Sequence, residues 1–240
     1  MPLIEFRDVS YDVAGKRILH NLNLSVEAGE TLVLLGRSGS GKSTALKLIN
    51  GMLAPTGGEV FVNGRNTRDW ESIRLKRGIG YVIQEGGLFP HFTVAQNVGL
   101  VPALEGWKRS DIESRIDALL DMVGMAPGEF RERYPRQLSG GQRQRVGVAR
   151  ALAADPPILL FDEPFGALDP VTRFELQRQF LALQHELKKA AIFVTHDVRE
   201  ALRLGSRIVL LANGAVDTIA SPGDFEQAGS DEARAFLACI

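Results

Sequence analysis

Cysteine is almost absent from the chain: it has one, Cys239. A lone thiol forms no disulfide within the chain and builds no cysteine zinc site, which fits a reducing compartment. Long apolar runs are missing too. Thr31–Leu35, Ile158–Phe161 and Ile208–Ala212 are among the longest, and all fall far short of the roughly 20 residues a membrane helix needs. A membrane role is therefore expected to run through a partner. Net charge is small, at −1. That balance gives no electrostatic reason for nucleic-acid binding, which usually rests on a basic surface, and leaves room only for a local basic patch, so no nucleic-acid partner is expected. The stretch from Met1 to Asp12 mixes charged and apolar residues and has no signal-peptide pattern. Internal repeats, low-complexity tracts and disordered linkers are lacking as well.

What is present has the proportions of a globular protein, with 45% hydrophobic and 24% charged residues. The short apolar runs have strand length and end at turn signals. They read as strands buried on both faces, as in a parallel sheet covered by helices. Ile79–Ile83 and Ala191–Thr195 join them. Helical stretches alternate with these strands: Lys42 to Asn50, stopped by Gly51, and Val171 to Lys188, with Phe174, Leu181 and Leu187 at roughly helical spacing. This alternation predicts an α/β fold. Residues 3–11, 16–26 and 59–62 alternate more strictly, and the last run meets the turn pair Asn63 and Gly64. They predict an antiparallel β layer beside a mostly parallel core. From about Thr93 to Ala153 the pattern is helical, with Ser110 expected to cap a helix running to Val123. Residues 1–240 are thus read as a single nucleotide-binding domain with a helical subdomain inserted at about 93–153.

The nucleotide reading comes from Gly36, Arg37, Ser38, Gly39, Ser40, Gly41, Lys42, Ser43 and Thr44. Four residues separate the first glycine from Gly-Lys-Ser, the spacing of a phosphate-binding loop between a strand and a helix. Glycines let backbone N–H groups approach a polyphosphate, and the following helix N-terminus favours an anion. Lys42 can reach the β- and γ-phosphates of ATP, and Ser43 can offer its hydroxyl to Mg²⁺. The strand Ile158–Phe161 runs into Asp162 and Glu163. Carboxylates at the tip of an apolar strand are costly without partners. Asp162 is read as a second Mg²⁺ group and Glu163 as the general base that polarises the attacking water.

Leu138, Ser139, Gly140, Gly141 and Gln142 stand ahead of that strand and open a helical stretch. They resemble the signature sequence of ABC-type ATPases. The resemblance implies a phosphate-loop nucleoside triphosphatase core in which Ser139, Gly140, Gly141 and Gln142 face the γ-phosphate bound by an opposite subunit. It extends over nearly the whole chain. It implies that Tyr11 stacks on adenine, that Gln84 contacts Mg²⁺ or water, that Ala167, Leu168 and Asp169 communicate across the dimer, and that His196 contacts the γ-phosphate. Asp169 followed by Pro170 also suits a helix start. Gly166 departs from the serine common in the family. His20, His91 and His185 match no motif and are read as surface residues.

A split site of this kind implies a head-to-tail homodimer with two equivalent sites, closed by ATP and opened by hydrolysis. The family implies transmembrane permease subunits, a substrate-binding protein and a peripheral place on the cytoplasmic face of the membrane. Residues 79–84, 87–91 and 97–107, with Asp169 to Arg173, are similar to the ATPases of quaternary-amine importers, which take up glycine betaine, choline, carnitine or proline betaine. Glu85 and Gly86 differ from that group. An ABC ATPase for lipid or another solute would share every catalytic residue. A soluble ABC ATPase acting on DNA or ribosomes would usually show paired cassettes, a coiled-coil insertion or a basic surface.

Overall fold

The computed structural model describes residues 1–83, 87–166 and 168–240. In chain order the elements begin with β1 (Ile4–Val13), β2 (Lys16–Val26), β3 (Thr31–Leu35), α1 (Lys42–Ile49), β4 (Gly57–Val62), β5 (Arg65–Asn66), α2 (Ser72–Arg77) and β6 (Ile79–Val82). Next come α3 (Val94–Leu104), α4 (Arg109–Met122), α5 (Pro127–Phe130), α6 (Gly140–Leu152), β7 (Ile158–Asp162) and α7 (Pro170–Leu187). The chain closes with β8 (Ala190–Thr195), α8 (Val198–Leu204), β9 (Arg207–Ala212), β10 (Ala215–Ala220), α9 (Pro222–Phe225) and α10 (Asp231–Leu237). These elements gather into two units, one of residues 1–76 with 188–240 and one of residues 77–187. Among the described residues, no helix is long and apolar enough to cross a membrane.

The first unit holds two kinds of sheet. Its N-terminal layer is antiparallel, in the order β2-β1-β4-β5. Ile4 pairs with Val26 on one side and with Val62 on the other, and all three are buried. Direct cross-strand pairing places these side chains on one face, where each stabilises the fold by about 1.5–3 kcal/mol; further along β1 the register shifts. The β4–β5 hairpin turns at Asn63 and Gly64, both at positive φ, as a two-residue hairpin of matching twist requires. The second sheet of this unit runs β10-β9-β3-β8. Strand β3 is parallel to both β8 and β9. All residues of β3 and β8 are buried, which is why their sequences are continuously apolar rather than alternating. Strand β10 is added at the edge, beyond the strands that the apolar runs predict. Its half-buried pattern carries little apolar signal, and the β9 hairpin holds it in place.

The second unit pairs β6 with β7 in parallel, Val82 opposite Phe161, and carries α3 to α7. The helical stretch expected at about 93–153 is present as α3, α4, α5 and α6. Helix α3 starts with a reciprocal cap: Gln96 N donates to Thr93 Oγ1 at 3.2 Å, and Thr93 N donates to Gln96 Oε1 at 2.8 Å. Asn97 is fully buried and secures the preceding loop. It accepts from Phe89 N at 2.8 Å, and its amide donates to the carbonyls of Phe89, Phe92 and Thr93.

Two local expectations need correction. Helix α4 begins before Ser110, and its N-cap residue is Lys108 without a side-chain cap. Ser110 instead donates to Asp111 at 3.1 Å. Helix α7 does not bury Phe174, which is 53% exposed. Its buried face is Leu176, Gln177, Phe180 and Leu183. Phe180 meets Phe161 edge-on, with centroids 5.1 Å apart.

Candidate functional site

Two parallel strands deliver their next residues to one edge of the sheet in the first unit. Leu35, the last residue of β3, pairs in register with Thr195, the last residue of β8. Gly36 and His196 therefore leave neighbouring strands at the same level. Carboxyl ends of parallel strands are where α/β sheets bind ligands. His196 is exposed.

The loop after β3 is tightly built. A Cβ on Gly36 would stand 2.4 Å from Leu211 O and 2.6 Å from Ser40 Oγ, so only glycine fits there. Gly41 has φ 101° and abuts Leu19, whose Cδ2 would lie 2.5 Å from an added Cβ. Lys42 is 4% exposed. Its ammonium folds back across the loop, donating to Gly36 O at 2.7 Å and to Arg37 O at 2.8 Å. Ser40 Oγ is buried without a hydrogen-bond partner, a costly arrangement for a hydroxyl. An unpartnered hydroxyl beside a buried ammonium, at the N-terminus of α1, fits a polyphosphate. Ser38 and Gly39 are exposed, while Ser43 and Thr44 are half-buried in the first turn of α1. Tyr11, in β1, pairs with Leu19, the residue that packs on Gly41. The first unit thus gathers Tyr11, residues 36–44 and His196.

Each unit adds one partner to a candidate residue. Arg37 Nε donates to Glu232 Oε1 in α10 at 2.6 Å, and this bond is the main cause that holds the guanidinium pKa above its usual value. The tail residues matched no motif, so only the tertiary contact reveals the pair. In the second unit, Tyr81 donates its phenol to Asp162 Oδ2 at 3.2 Å. Burial, followed by the charge and hydrogen bond of Asp162, pushes the Tyr81 pKa well above the usual phenol range. Tyr81 is a polar-tipped residue in a buried strand beside β7, and that alone was the available signal.

Asp162 ends β7 and Glu163 follows it at φ 45°. This left-handed backbone is strained for a side chain of this size, and such strain clusters at functional sites. Further along the same unit, Ser139 caps α6. Its hydroxyl accepts from Gln142 N at 3.2 Å while Ser139 N donates to Gln142 Oε1 at 2.8 Å. Ser139 and Gly140 are exposed. Gly141 lies so close to Thr172 that an added Cβ would stand 2.6 Å from its methyl group. The Ser139 turn and the start of α7 are therefore neighbours. Asp169 caps α7, accepting from Val171 N at 3.2 Å and Thr172 N at 3.0 Å. The Thr172 bonds are the leading cause that lowers the Asp169 pKa. The helix start read from Asp169 and Pro170 is present. Gln84 and Ala167 lie outside the described residues.

The buried strand, glycine loop and lysine-closed helix start define a phosphate-loop nucleotide-binding fold. The family described as ABC transporter matches residues 19–166, and the chain belongs to it. The osmoprotectant import ATP-binding protein OsmV of Salmonella typhimurium is 50% identical over 87% of this chain and 54% of its own length. The glycine betaine uptake system ATP-binding protein YehX of Escherichia coli is also 50% identical, over 89% of this chain and 69% of its own. The chain spans about half the length of OsmV. Among solved structures, the ATP-binding cassette MJ0796, dimeric and bound to ADP and Pi in a post-hydrolysis state, is 35% identical. It superposes with a TM-score of 0.81 over 91% of this chain and 98% of that one.

Proposed function

We propose that this chain is the ATP-hydrolysing subunit of an importer for quaternary-amine osmoprotectants. It works as a head-to-tail homodimer on the cytoplasmic face of a membrane, with permease subunits and a substrate-binding protein. The observation that carries the reading is the phosphate loop, with Lys42 buried across it and Ser40 Oγ unpartnered. The likeness to OsmV and YehX supports the substrate class, and the dimeric cassette MJ0796 supports the assembly.

The roles follow from chemistry. Residues 36–44 take the triphosphate, with Lys42 turning from backbone carbonyls toward the β- and γ-phosphates. Tyr11 stacks on the adenine. Glu163 polarises the attacking water and takes its proton. His196 contacts the γ-phosphate through a hydrogen bond. Ser139, Gly140, Gly141 and Gln142, at an exposed helix start, meet the γ-phosphate bound by the second copy, and Asp169 lies beside them in the dimer contact. Ser43, Asp162 and Gln84 would hold Mg²⁺, which supplies charge neutralisation at the phosphates. Phe89 and Leu104, exposed at the ends of the α3 region, suit docking of a permease.

Two experiments test the reading. Glu163→Gln should bind ATP while turnover falls by about 10²- to 10⁴-fold, the span of general-base catalysis. Wild-type turnover in that variant would remove Glu163 from its role. Cells lacking the chain should take up less labelled glycine betaine or choline. Unchanged uptake would reject the substrate class and leave the ATPase reading standing.

A further inference from the structure

His196 sits between two residues that are tied together. Thr195, at the end of β8, is 4% exposed, and its hydroxyl donates to Glu200 Oε2 at 2.6 Å. The same hydroxyl accepts from Asp197 N at 3.0 Å. Asp197 in turn caps α8, its Oδ1 accepting from Arg199 N at 2.8 Å and from Glu200 N at 3.4 Å. The residue before His196 and the residue after it thus join one closed hydrogen-bonded ring through Glu200.

Glu200 is 6% exposed. The rest of the buried face of α8 is Val198, Ala201 and Leu204, so an apolar residue would pack there without the desolvation cost of a carboxylate. The O–H···O⁻ bond to Thr195 has the short length of a charge-assisted contact. A hydroxyl that donates to a carboxylate while accepting a backbone N–H has little rotational freedom left. Thr195 is also held from below, by its register with Leu35 at the start of the phosphate loop. The ring therefore fixes the backbone of His196 relative to that loop.

We infer that Glu200 is a positioning residue for His196, acting through Thr195 and Asp197 without touching nucleotide. This rests on the proposed contact of His196 with the γ-phosphate. A histidine at the turn between a strand and a helix gains useful orientation only if the turn has one geometry. Thr195 and Glu200 supply that geometry from inside the unit.

The test is a set of variants in the full chain, read by ATPase kinetics and by NMR of ¹³C-labelled histidine rings. There are four histidines, so the His196 signal is assignable by its loss in His196→Gln. Thr195→Val should lower kcat about tenfold or more, the consequence of losing a hydrogen bond to a buried charge. KM for ATP should change far less, and the His196 ring signal should shift or broaden. Thr195→Ser, which keeps the hydroxyl, should restore both. A folded Thr195→Val with wild-type kcat and an unmoved His196 signal would overturn the inference. If Thr195→Val does not fold, Glu200→Gln is measured in its place by the same kinetics and the same ring signal. Wild-type kcat with an unmoved signal in that variant would overturn the inference equally. His196→Ala at wild-type turnover would instead overturn the assignment of His196, whatever Glu200 does.

Discussion

Arg37, the second residue of the phosphate loop, is ion-paired with Glu232 in α10 at 2.6 Å. The two lie far apart in sequence, and the pair ties the C-terminal helix to the loop after β3. Arg37 is well exposed and Glu232 partly so, which makes the link sensitive to solvent and salt. Glu232→Gln should change KM for ATP by only a few-fold. The difference from wild type should fade as salt rises, in ATPase assays at low and high ionic strength. A difference that persists at high salt would show that Glu232 acts by packing and not by charge.

Lys42 closes the loop through its own bonds, apart from the nucleotide contact proposed for it. Its two bonds to loop carbonyls are donated by a buried cation and are each worth about 1.5–3 kcal/mol to their partners. Lys42→Ala should therefore abolish tight ATP binding and also loosen the nucleotide-free protein. A fluorescent-nucleotide titration and a thermal melt check the two effects separately. Unchanged affinity would reject the phosphate-loop reading.

Tyr81 orients Asp162 from the neighbouring strand. Its folded pKa is raised from the ordinary value of 10.0, first by burial. A raised pKa means that its contribution to stability is complete below the unfolded value and drains away as pH climbs above it. Tyr81→Phe should cost about 1.5–3 kcal/mol at neutral pH, the loss of a hydrogen bond to a carboxylate. It should also flatten the alkaline edge of the stability profile, as read by denaturant melts between neutral pH and the phenol range. Turnover should fall more than ATP affinity, and equal losses in the two would show that the Tyr81 bond does not orient Asp162.

Asp169 caps α7, and its pKa is lowered from 3.8 by the bonds from Thr172 and Val171. The sign is the opposite one. Its contribution is complete above the unfolded aspartate value and is lost as pH falls through the lower folded value. Asp169→Ala should remove that acid-side dependence and fray the start of α7, where Thr172 packs on Gly141. Hydrogen exchange at the amides of Val171 and Thr172 would detect the fraying. Unchanged protection would show that the cap is dispensable.

Periodicity and motif spacing were enough to read several parts of the molecule. The uninterrupted apolar runs inside β3, β7, β8 and β9 read as buried strands, because they leave no polar face for water. Asn63 with Gly64 marked a hairpin, and Asp169 with Pro170 a helix start, because those turns admit few residue types. The phosphate loop was legible for the same reason: close backbone approach leaves glycine as the choice at Gly36.

Other features depended on residues distant in sequence. Strand β10 has a weak apolar pattern, and hairpin pairing with β9 made it a strand. The buried apolar side of α7 is Leu176, Phe180 and Leu183, at i, i+4 and i+7, while Phe174 on the same helix stays exposed; packing against Phe161 accompanies that choice of face. The partners Glu232 and Glu200 match no motif, and the segment that holds Tyr81 does not reveal its bond to Asp162. A charge or hydroxyl gains meaning only from what lies within about 3 Å of it, and the chain brings those neighbours together only by folding. The sequence by itself determined which local shapes were possible; the tertiary structure decided which side chains met, because hydrogen bonds and ion pairs act over short distances that sequence separation does not encode.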